Sequence, residues 1–230
     1  MISIPSPRKP FARSRLGRTL VAIHAAARAS GEPYEIIVAD DASTDATAAI
    51  ARAHGATVVS VSHRQIAATR NAGAREARGE LFFFVDADTV VTPAAVRAAV
   101  KAVRGGAVGG GCVFRFDCEL PLYARFLLPL GNALGRRLRL VGGCCLFCTR
   151  EAFLAVGGFN ERYFAAEELA FARALKRRGR FVVPRPMVIT SGRKLPLINC
   201  GQFVRLVGRA LFGGPNAFDR REGLDLWYGR

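Results

Sequence analysis

The run from Leu81 to Asp88 constrains the fold more than any other stretch of the chain. Five consecutive apolar residues, 81–85, are mostly aromatic or β-branched, and the run ends at Asp86 and Asp88. Such a run predicts a strand buried on both faces of a sheet. Pro93 stands where a following helix would begin. Open α/β sheets bind ligands beyond the carboxyl ends of their strands. The two acids therefore predict a site for Mg²⁺ or Mn²⁺ carrying a phosphate, with a solvated turn as the alternative.

The segments around this run alternate between strand and helix patterns. Apolar runs at 2–5, 35–41, 56–61 and 81–86 predict strands, and helical periodicity covers 16–29, 46–54, 65–78 and 94–103. A basic loop is expected at 6–15, and Ser43 or Thr44 is expected to cap the second helix. This order is typical of an α/β fold whose central, mostly parallel sheet is flanked by helices.

The second part of the chain has a different pattern. Residues 107–116 predict one strand containing three glycines, and the cysteine-bearing segment 141–149 and a helix at 167–178 follow. Two apolar segments flanked by arginines lie at 120–134, interrupted by prolines and a glycine, and at 197–212. Their apolar faces are expected to complete the core, with contact to an anionic membrane surface as the alternative.

The overall charge restricts the possible partners. Thirty-four Lys and Arg residues against 18 Asp and Glu give a net charge of +16, which favours anionic partners. The basic residues are spread along the chain, and no helix-turn-helix or zinc module is evident, so nucleic acid is not expected. Cys144-Cys145-x-x-Cys148 has no second pair at zinc-finger spacing, so we expect small buried side chains there rather than a metal knuckle. Without an evident signal peptide or membrane span, the expected location is the cytoplasm.

The acids at the strand ends predict a shared crevice. Asp41 and the pair Asp86/Asp88 end strands that are expected to be neighbours, so their carboxylates would face the same opening. A carboxylate at the first strand end can accept hydrogen bonds from a nucleoside base or ribose. Arg70, in the intervening helix, can reach the crevice and pair with phosphate, although a solvated helix face is the alternative.

An ordered set of motifs, spread over about 34–190, resembles family 2 glycosyltransferases of the GT-A fold. The motifs are the run Glu35–Thr47, Arg70-Asn71-Ala72-Gly73, Phe84–Asp88, Gly157-Gly158-Phe159 and Glu167-Glu168 at a helix start. The resemblance implies a single GT-A domain over 1–230. Residues 1–104 would form the nucleotide-sugar-binding half, and 105–230 would form the acceptor-binding half.

The resemblance also implies residue roles. The donor would be a nucleoside-diphosphate sugar, with a UDP-sugar first among the candidates. Asp41, with Asp40 beside it, would contact the base or ribose, and Arg70 would lie near the diphosphate. Asp88 would ligate a divalent cation, Mn²⁺ or Mg²⁺. Asp86 would contact the ribose or water on that cation.

The general base of such an inverting enzyme would come from Glu167-Glu168. The family usually has Glu-Asp here with the second acid as base, so we predict Glu168 first and Glu167 second; first-turn acids also stabilise a helix. The chain lacks the usual acid after its first strand and has Ala170 where another acid is common. It also lacks the Gln-x-x-Arg-Trp motif of processive synthases, so we expect transfer of one sugar to an unidentified acceptor.

Two other functions stay open on the sequence. The altered N-terminus and the Glu-Glu pair are compatible with a catalytically inactive scaffold that binds a nucleotide-sugar. The net charge is compatible with a basic nucleic-acid-binding protein. A lipid-linked acceptor would instead favour peripheral contact with the inner face of the membrane.

Overall fold

The computed structural model describes residues 2–5 and 12–193 of the chain. Its strands, in chain order, are β1 Ile2–Pro5, β2 Ile37–Asp41, β3 Thr57–Val61, β4 Leu81–Asp86, β5 Thr89–Val90, β6 Ala107–Gly111, β7 Val113–Phe116, β8 Cys145–Thr149, β9 Arg180–Val182 and β10 Met187–Thr190. Its helices are α1 Ala12–Arg28, α2 Thr47–Ala53, α3 Ile66–Glu76, α4 Pro93–Arg104, α5 Leu122–Leu138, α6 Arg150–Val156 and α7 Glu167–Arg178. The segments predicted at 6–11 and 197–212 lie outside the described residues.

One large sheet organises the molecule. Its strands lie in the order β3-β2-β1-β4-β8-β6-β9, and a smaller sheet has the order β5-β10-β7. In the large sheet β3, β2, β1 and β4 are parallel, β8 is antiparallel to β4 and β6, and β9 is parallel to β6. This mostly parallel sheet with flanking helices confirms the predicted fold class. The carboxyl ends of β2 and β4 lie at the same edge.

The first half of the chain forms its predicted elements with small shifts. Pro93 begins α4, and the Thr92 hydroxyl caps it by accepting from the Ala95 amide. Two local predictions were wrong. The helix α1 already begins at Ala12, inside the predicted loop. The N-cap of α2 is Ala46, because the Asp45 carboxylate accepts from the Thr47 amide in place of a Ser43 or Thr44 cap.

The predicted strand 107–116 is two strands in different sheets. It breaks at Cys112, so that β6 stays in the large sheet and β7 pairs with β10. A Cβ at Gly110 would collide with the carbonyl oxygen of Val182 and the ring of Phe147. The glycines therefore allow β6 to be closely enclosed by its neighbours, and the chain then changes sheets.

The apolar segment 120–134 also differs from the prediction. From Leu122 onwards it belongs to one continuous helix, α5, which tolerates Pro129 in its interior. Pro129 is exposed, so the carbonyl that loses its helical partner can be hydrated. The helix does not cover the core, because Leu122, Phe126 and Leu130 are exposed. Among the described residues, no helix combines the length and hydrophobicity needed to cross a bilayer.

Phenylalanines form the centre of the core beneath β4. Phe84 is fully buried, and its ring centroid lies 4.8 Å from Phe159, 5.6 Å from Phe153 and 6.0 Å from Phe171. Phe83, on the other face of β4, is only half-buried. This packing fixes the strand and thereby the position of the acids at its end. Cys144, Cys145 and Cys148 are buried as predicted, and Cys112 is buried as well, whereas Cys118 is exposed.

Candidate active site

Arg70 joins three distant parts of the chain. Its side chain extends from α3 and is only 3% exposed. Nη1 donates to Oε1 of Glu167 at 2.9 Å, and Nη2 donates to Oδ1 of Asp86 and to the Gly143 carbonyl, each at 3.0 Å. These contacts bring the end of β4, the start of α7 and the loop before β8 into one cluster at the predicted crevice.

Asn71, next to Arg70 in the chain, holds α3 in this position. Its side-chain oxygen accepts from the Phe159 amide at 2.9 Å, and its side-chain nitrogen donates to the Phe159 carbonyl at 2.8 Å. Gly158 has φ +75°, and a Cβ there would lie 2.7 Å from the Asn71 oxygen. The guanidinium carbon of Arg70 lies over the Phe159 ring, 5.2 Å from the ring centroid. Two motifs separated in sequence are thus one structural unit.

Four carboxyl groups interact around this buried arginine. Burial raises the pKa of Asp86 to about 6, opposed by Arg70 and reinforced by Asp88. Burial also raises the pKa of Glu167 to about 8, reinforced by Glu168 and opposed by Arg70. Both pKa values are raised because Arg70 does not fully offset desolvation and the neighbouring negative charges. The crevice therefore gathers more carboxyl groups than one arginine can neutralise.

The two adjacent glutamates are not equivalent. Glu167 is 3% exposed and fixed by Arg70, whereas Glu168 is half-buried. The Glu168 carboxyl carbon lies 3.3 Å from the position that a Cβ on Gly143 would occupy. Glycine at that position therefore leaves room for the carboxylate. Glu168 is the more accessible of the two to a second substrate.

Asp86 and Asp88 are the candidate metal ligands. Asp88 is an open carboxylate at the turn after β4, and its Oδ2 pairs with Arg193 at 3.3 Å. Within residues 2–5 and 12–193, no group of three or more His, Cys, Asp or Glu side chains could hold an ion. Two carboxylates nevertheless fit a magnesium-like ion that takes its other ligands from diphosphate and water. Arg193 occupies only Oδ2 of Asp88, so Oδ1 stays available to such an ion.

Asp40 and Asp41 lie at the same sheet edge, but their contacts are internal. The prediction that their strands are neighbours was wrong. β1 lies between β2 and β4, so the two acid sets are two strand spacings apart, about 10 Å. The Asp41 carboxylate accepts from the Arg64 amide at 2.8 Å, the Gln65 amide at 3.0 Å and the Thr69 hydroxyl at 2.8 Å. It therefore anchors the start of α3. Asp40 accepts from the Ser43 amide at 3.2 Å.

The turn after β2 carries polar groups for which the sequence predicts no ligand role. In the described part of the chain, Oγ of Ser43 and Oδ2 of Asp45 are buried without hydrogen-bond partners. Buried polar atoms normally have partners, so these two are available to a ligand. The sequence signal for these two groups was the high density of polar residues in the turn. A turn with a purely structural role can have the same composition.

A second set of contacts that the sequence did not reveal holds the chain beside Asp88. The Asp117 carboxylate accepts from the Gly192 amide at 2.9 Å and from Arg15 at 3.2 Å. Arg193 is thereby placed next to Asp88. No local pattern predicts this arrangement, because its members come from α1, the end of β7 and the end of β10.

The structure combines a mostly parallel sheet, acids beyond two of its strands and an acid-headed helix across the crevice, as the resemblance to GT-A glycosyltransferases implies. The family model described as Glycosyl transferase family 2 matches residues 12–153, more than half of the chain. The chain belongs to this family, which confirms the resemblance drawn from the motifs. No curated protein sequence matches it.

Solved structures show the same fold. The mannosyltransferase PcManGT from Pyrobaculum calidifontis, in complex with GDP-Man and Mn²⁺, has a TM-score of 0.64 at 20% identity, covering 91% of this chain and 61% of that one. TarS 1–349 from S. aureus in complex with UDP-GlcNAc has a TM-score of 0.58 at 14% identity, covering 98% and 69%. This chain thus spans about three fifths of the PcManGT chain.

Proposed function

We propose that the chain is a metal-dependent, inverting glycosyltransferase that moves one sugar from a nucleoside-diphosphate sugar to an acceptor hydroxyl. The observation that carries the proposal is the group of Asp86, Glu167 and Glu168 around Arg70, with Asp88 close enough to act on Asp86. Similar structures that contain GDP-Man with Mn²⁺ or UDP-GlcNAc support this donor class, with a UDP-sugar as the first candidate.

The donor would lie along the edge formed by β2 and β4. Asp40 and Asp41, with the unpartnered groups of Ser43 and Asp45, would border the base or ribose. A divalent ion, Mn²⁺ or Mg²⁺, held by Asp86 and Asp88 would supply positive charge that stabilises the leaving diphosphate. Arg70 near the diphosphate would act mainly by holding the acids in place, because both of its terminal nitrogens already donate to protein oxygens.

The acceptor would approach Glu168. As general base, Glu168 takes the proton of the acceptor hydroxyl, whose oxygen then bonds to the anomeric carbon. The bond from that carbon to the diphosphate breaks, and its electron pair leaves with the diphosphate. Attack opposite the leaving group inverts the anomeric configuration. Glu167, fixed by Arg70, is the second candidate base.

The decisive experiment combines binding and turnover. UDP, GDP, TDP and CDP would each be added with Mn²⁺ or with EDTA, and thermal unfolding would be recorded. The correct nucleotide stabilises the folded chain by about 2.7 kcal/mol at a hundredfold excess over its dissociation constant. Asp88→Ala should lose the Mn²⁺-dependent shift, whereas Glu151→Ala, an exposed acid on α6, should keep it.

Turnover separates the enzyme from an inactive scaffold. Slow hydrolysis of the matching nucleotide-sugar should fall at least tenfold in Glu168→Gln while the nucleotide shift is retained. Binding without hydrolysis, or hydrolysis unaffected by Glu168→Gln, would overturn the proposed mechanism. The absence of any nucleotide shift in the folded chain would overturn the donor site itself. The proposed partners of the chain also include an anionic membrane surface, which it would contact peripherally.

A further inference from the structure

An apolar stripe runs along the exposed face of α5. Its members recur every four residues and are each more than half exposed: Leu122, Phe126, Leu130, Leu134 and Leu138. Leu127 lies beside them, also more than half exposed. Residues four apart stack along a helix, so the stripe is continuous over roughly 24 Å. On another face, Asn132 donates to the Phe114 carbonyl at 2.8 Å and holds the helix against β7.

The charges of the helix itself have one sign, and the exposed acid Glu119 lies just before its start. Within α5 there is no acidic residue, and Arg125, Arg136 and Arg137 are its charged residues. At the end of the helix, Lys176 of α7 donates to the Leu138 carbonyl at 3.4 Å. Desolvation first, and then nearby Arg139 and Arg173, lower the pKa of Lys176. Basic side chains are thus crowded at one end of the apolar stripe.

This combination points to a particular occupant. A continuous apolar surface of this size on a water-soluble domain normally marks an interaction site. Apolar side chains on one face with arginines at its border are the pattern of helices that lie in a membrane interface. The basic cluster complements the phosphate groups of anionic lipids, which attract such clusters. We propose that α5 docks the chain on an anionic lipid bilayer, with its apolar stripe inserted at the headgroup–acyl boundary.

Docking through α5 would also orient the candidate active site. The loop that follows the helix reaches Gly143, which bonds to Arg70 and packs against Glu168. Lys176 lies about 12 Å along α7 from Glu168. The acceptor entrance would therefore be near the bilayer, which favours an acceptor carried on a lipid. That consequence rests on the proposed function, whereas the docking itself does not.

Vesicle flotation of the full chain tests the docking. Phosphatidylglycerol/phosphatidylcholine vesicles would be compared with pure phosphatidylcholine at moderate salt. The triple variant Phe126→Ser, Leu130→Ser, Leu134→Ser should bind the anionic vesicles roughly tenfold less or weaker still. The matched control is Leu154→Ser on α6, because Leu154 is 65% exposed and Leu130 is 64% exposed. That control should bind like the wild type.

The charge contribution has its own variant. Arg137→Gln with Arg139→Gln should reduce binding to anionic vesicles and leave the weak binding to neutral vesicles unchanged. Failure of the folded wild type to bind, equal binding by the triple variant, or equal loss in Leu154→Ser would each overturn the proposal. A wild-type dimer that becomes monomeric in the triple variant, without vesicle binding, would identify the stripe as a contact between two copies and overturn it as well.

Discussion

Two strands of the parallel half end in acids, yet the fold uses the two acid sets differently. Asp41, at the end of β2, is 1% exposed and accepts three hydrogen bonds from the residues that begin α3. Asp88, beyond β4, is part-exposed and has one ion pair with Arg193. The same sequence signal therefore produced an internal anchor at one strand and a part-exposed carboxylate at the other. The loop that packs over each strand end makes the difference.

The largest expected effect is on Arg70, which links Asp86 at the end of β4 to Glu167 at the start of α7. Arg70→Met removes the donor to Asp86 and Glu167 and leaves buried carboxyl groups without their partner. Breaking a buried ion pair in this way costs about 3–5 kcal/mol, measured as the free energy of unfolding in urea.

The matched control for Arg70 lies on the same helix. Arg75 pairs with Glu161 at 3.5 Å, but both side chains are exposed. Arg75→Met should therefore change stability by less than about 0.5 kcal/mol. Equal losses in the two variants would show that the buried cluster contributes nothing particular, and that α3 itself is the sensitive element.

Next in size is a direct comparison of the two strand-end acids. Asp41→Asn keeps one acceptor oxygen but places an amide donor against a backbone or hydroxyl donor, so we expect a loss of about 2 kcal/mol. Asp88→Asn removes only a partly exposed ion pair, and its stability should change by less than about 1 kcal/mol. Equal unfolding free energies for the two variants would contradict the contrast between anchor and ligand position.

The smallest expected effect depends on pH. The pKa of Glu167 is raised from 4.5 to about 8 in the folded chain, so the folded state binds the proton more tightly than the unfolded state. Its contribution to stability is thus fully present below pH 4.5 and is lost as the pH rises towards 8. Relative to Glu167→Gln, the wild type should lose at least about 1 kcal/mol between pH 5 and pH 8, the equivalent of one pKa unit.

The same pH series in Glu151→Gln provides the control. Glu151 is exposed on α6, so its removal should leave the pH dependence of the wild type intact. The prediction would be contradicted if the difference in unfolding free energy between the wild type and Glu167→Gln did not change with pH. In that case Arg70 would keep Glu167 ionised over the whole pH range, despite its burial.

The first half of the fold was predictable because its signals are local. Apolar runs placed β2, β3 and β4, and Pro93 marked the start of α4. In the second half, the strand expected at 107–116 divides between two sheets, and α5 continues through Pro129 with its leucines outside. Periodicity shows that a helix has an apolar face. It does not show whether another element will be present to cover that face.

The candidate site divides in the same way. The sequence could name Arg70, Asp86, Asp88, Glu167 and Glu168 from their order and spacing, but it could not rank their environments. Gly143, Asn71 and Asp117 acquired their positions from contacts with segments far away in the chain. The hydrogen bonds between Asn71 and Phe159, for example, require the turn at Gly158, with its positive φ, to lie close to α3.

The sequence by itself determined the α/β class, the mostly parallel half and the chemical types gathered at its carboxyl edge. Hydrophobic spacing and strand-end acids act over a few residues and need no partner to be recognised. Only the tertiary structure decided that Asp41 is internal, that Glu167 is buried while Glu168 is accessible, and that α5 presents leucines and arginines to the outside. Burial and ion pairing depend on which distant segments come within a few ångströms of each other. The local sequence does not specify these contacts.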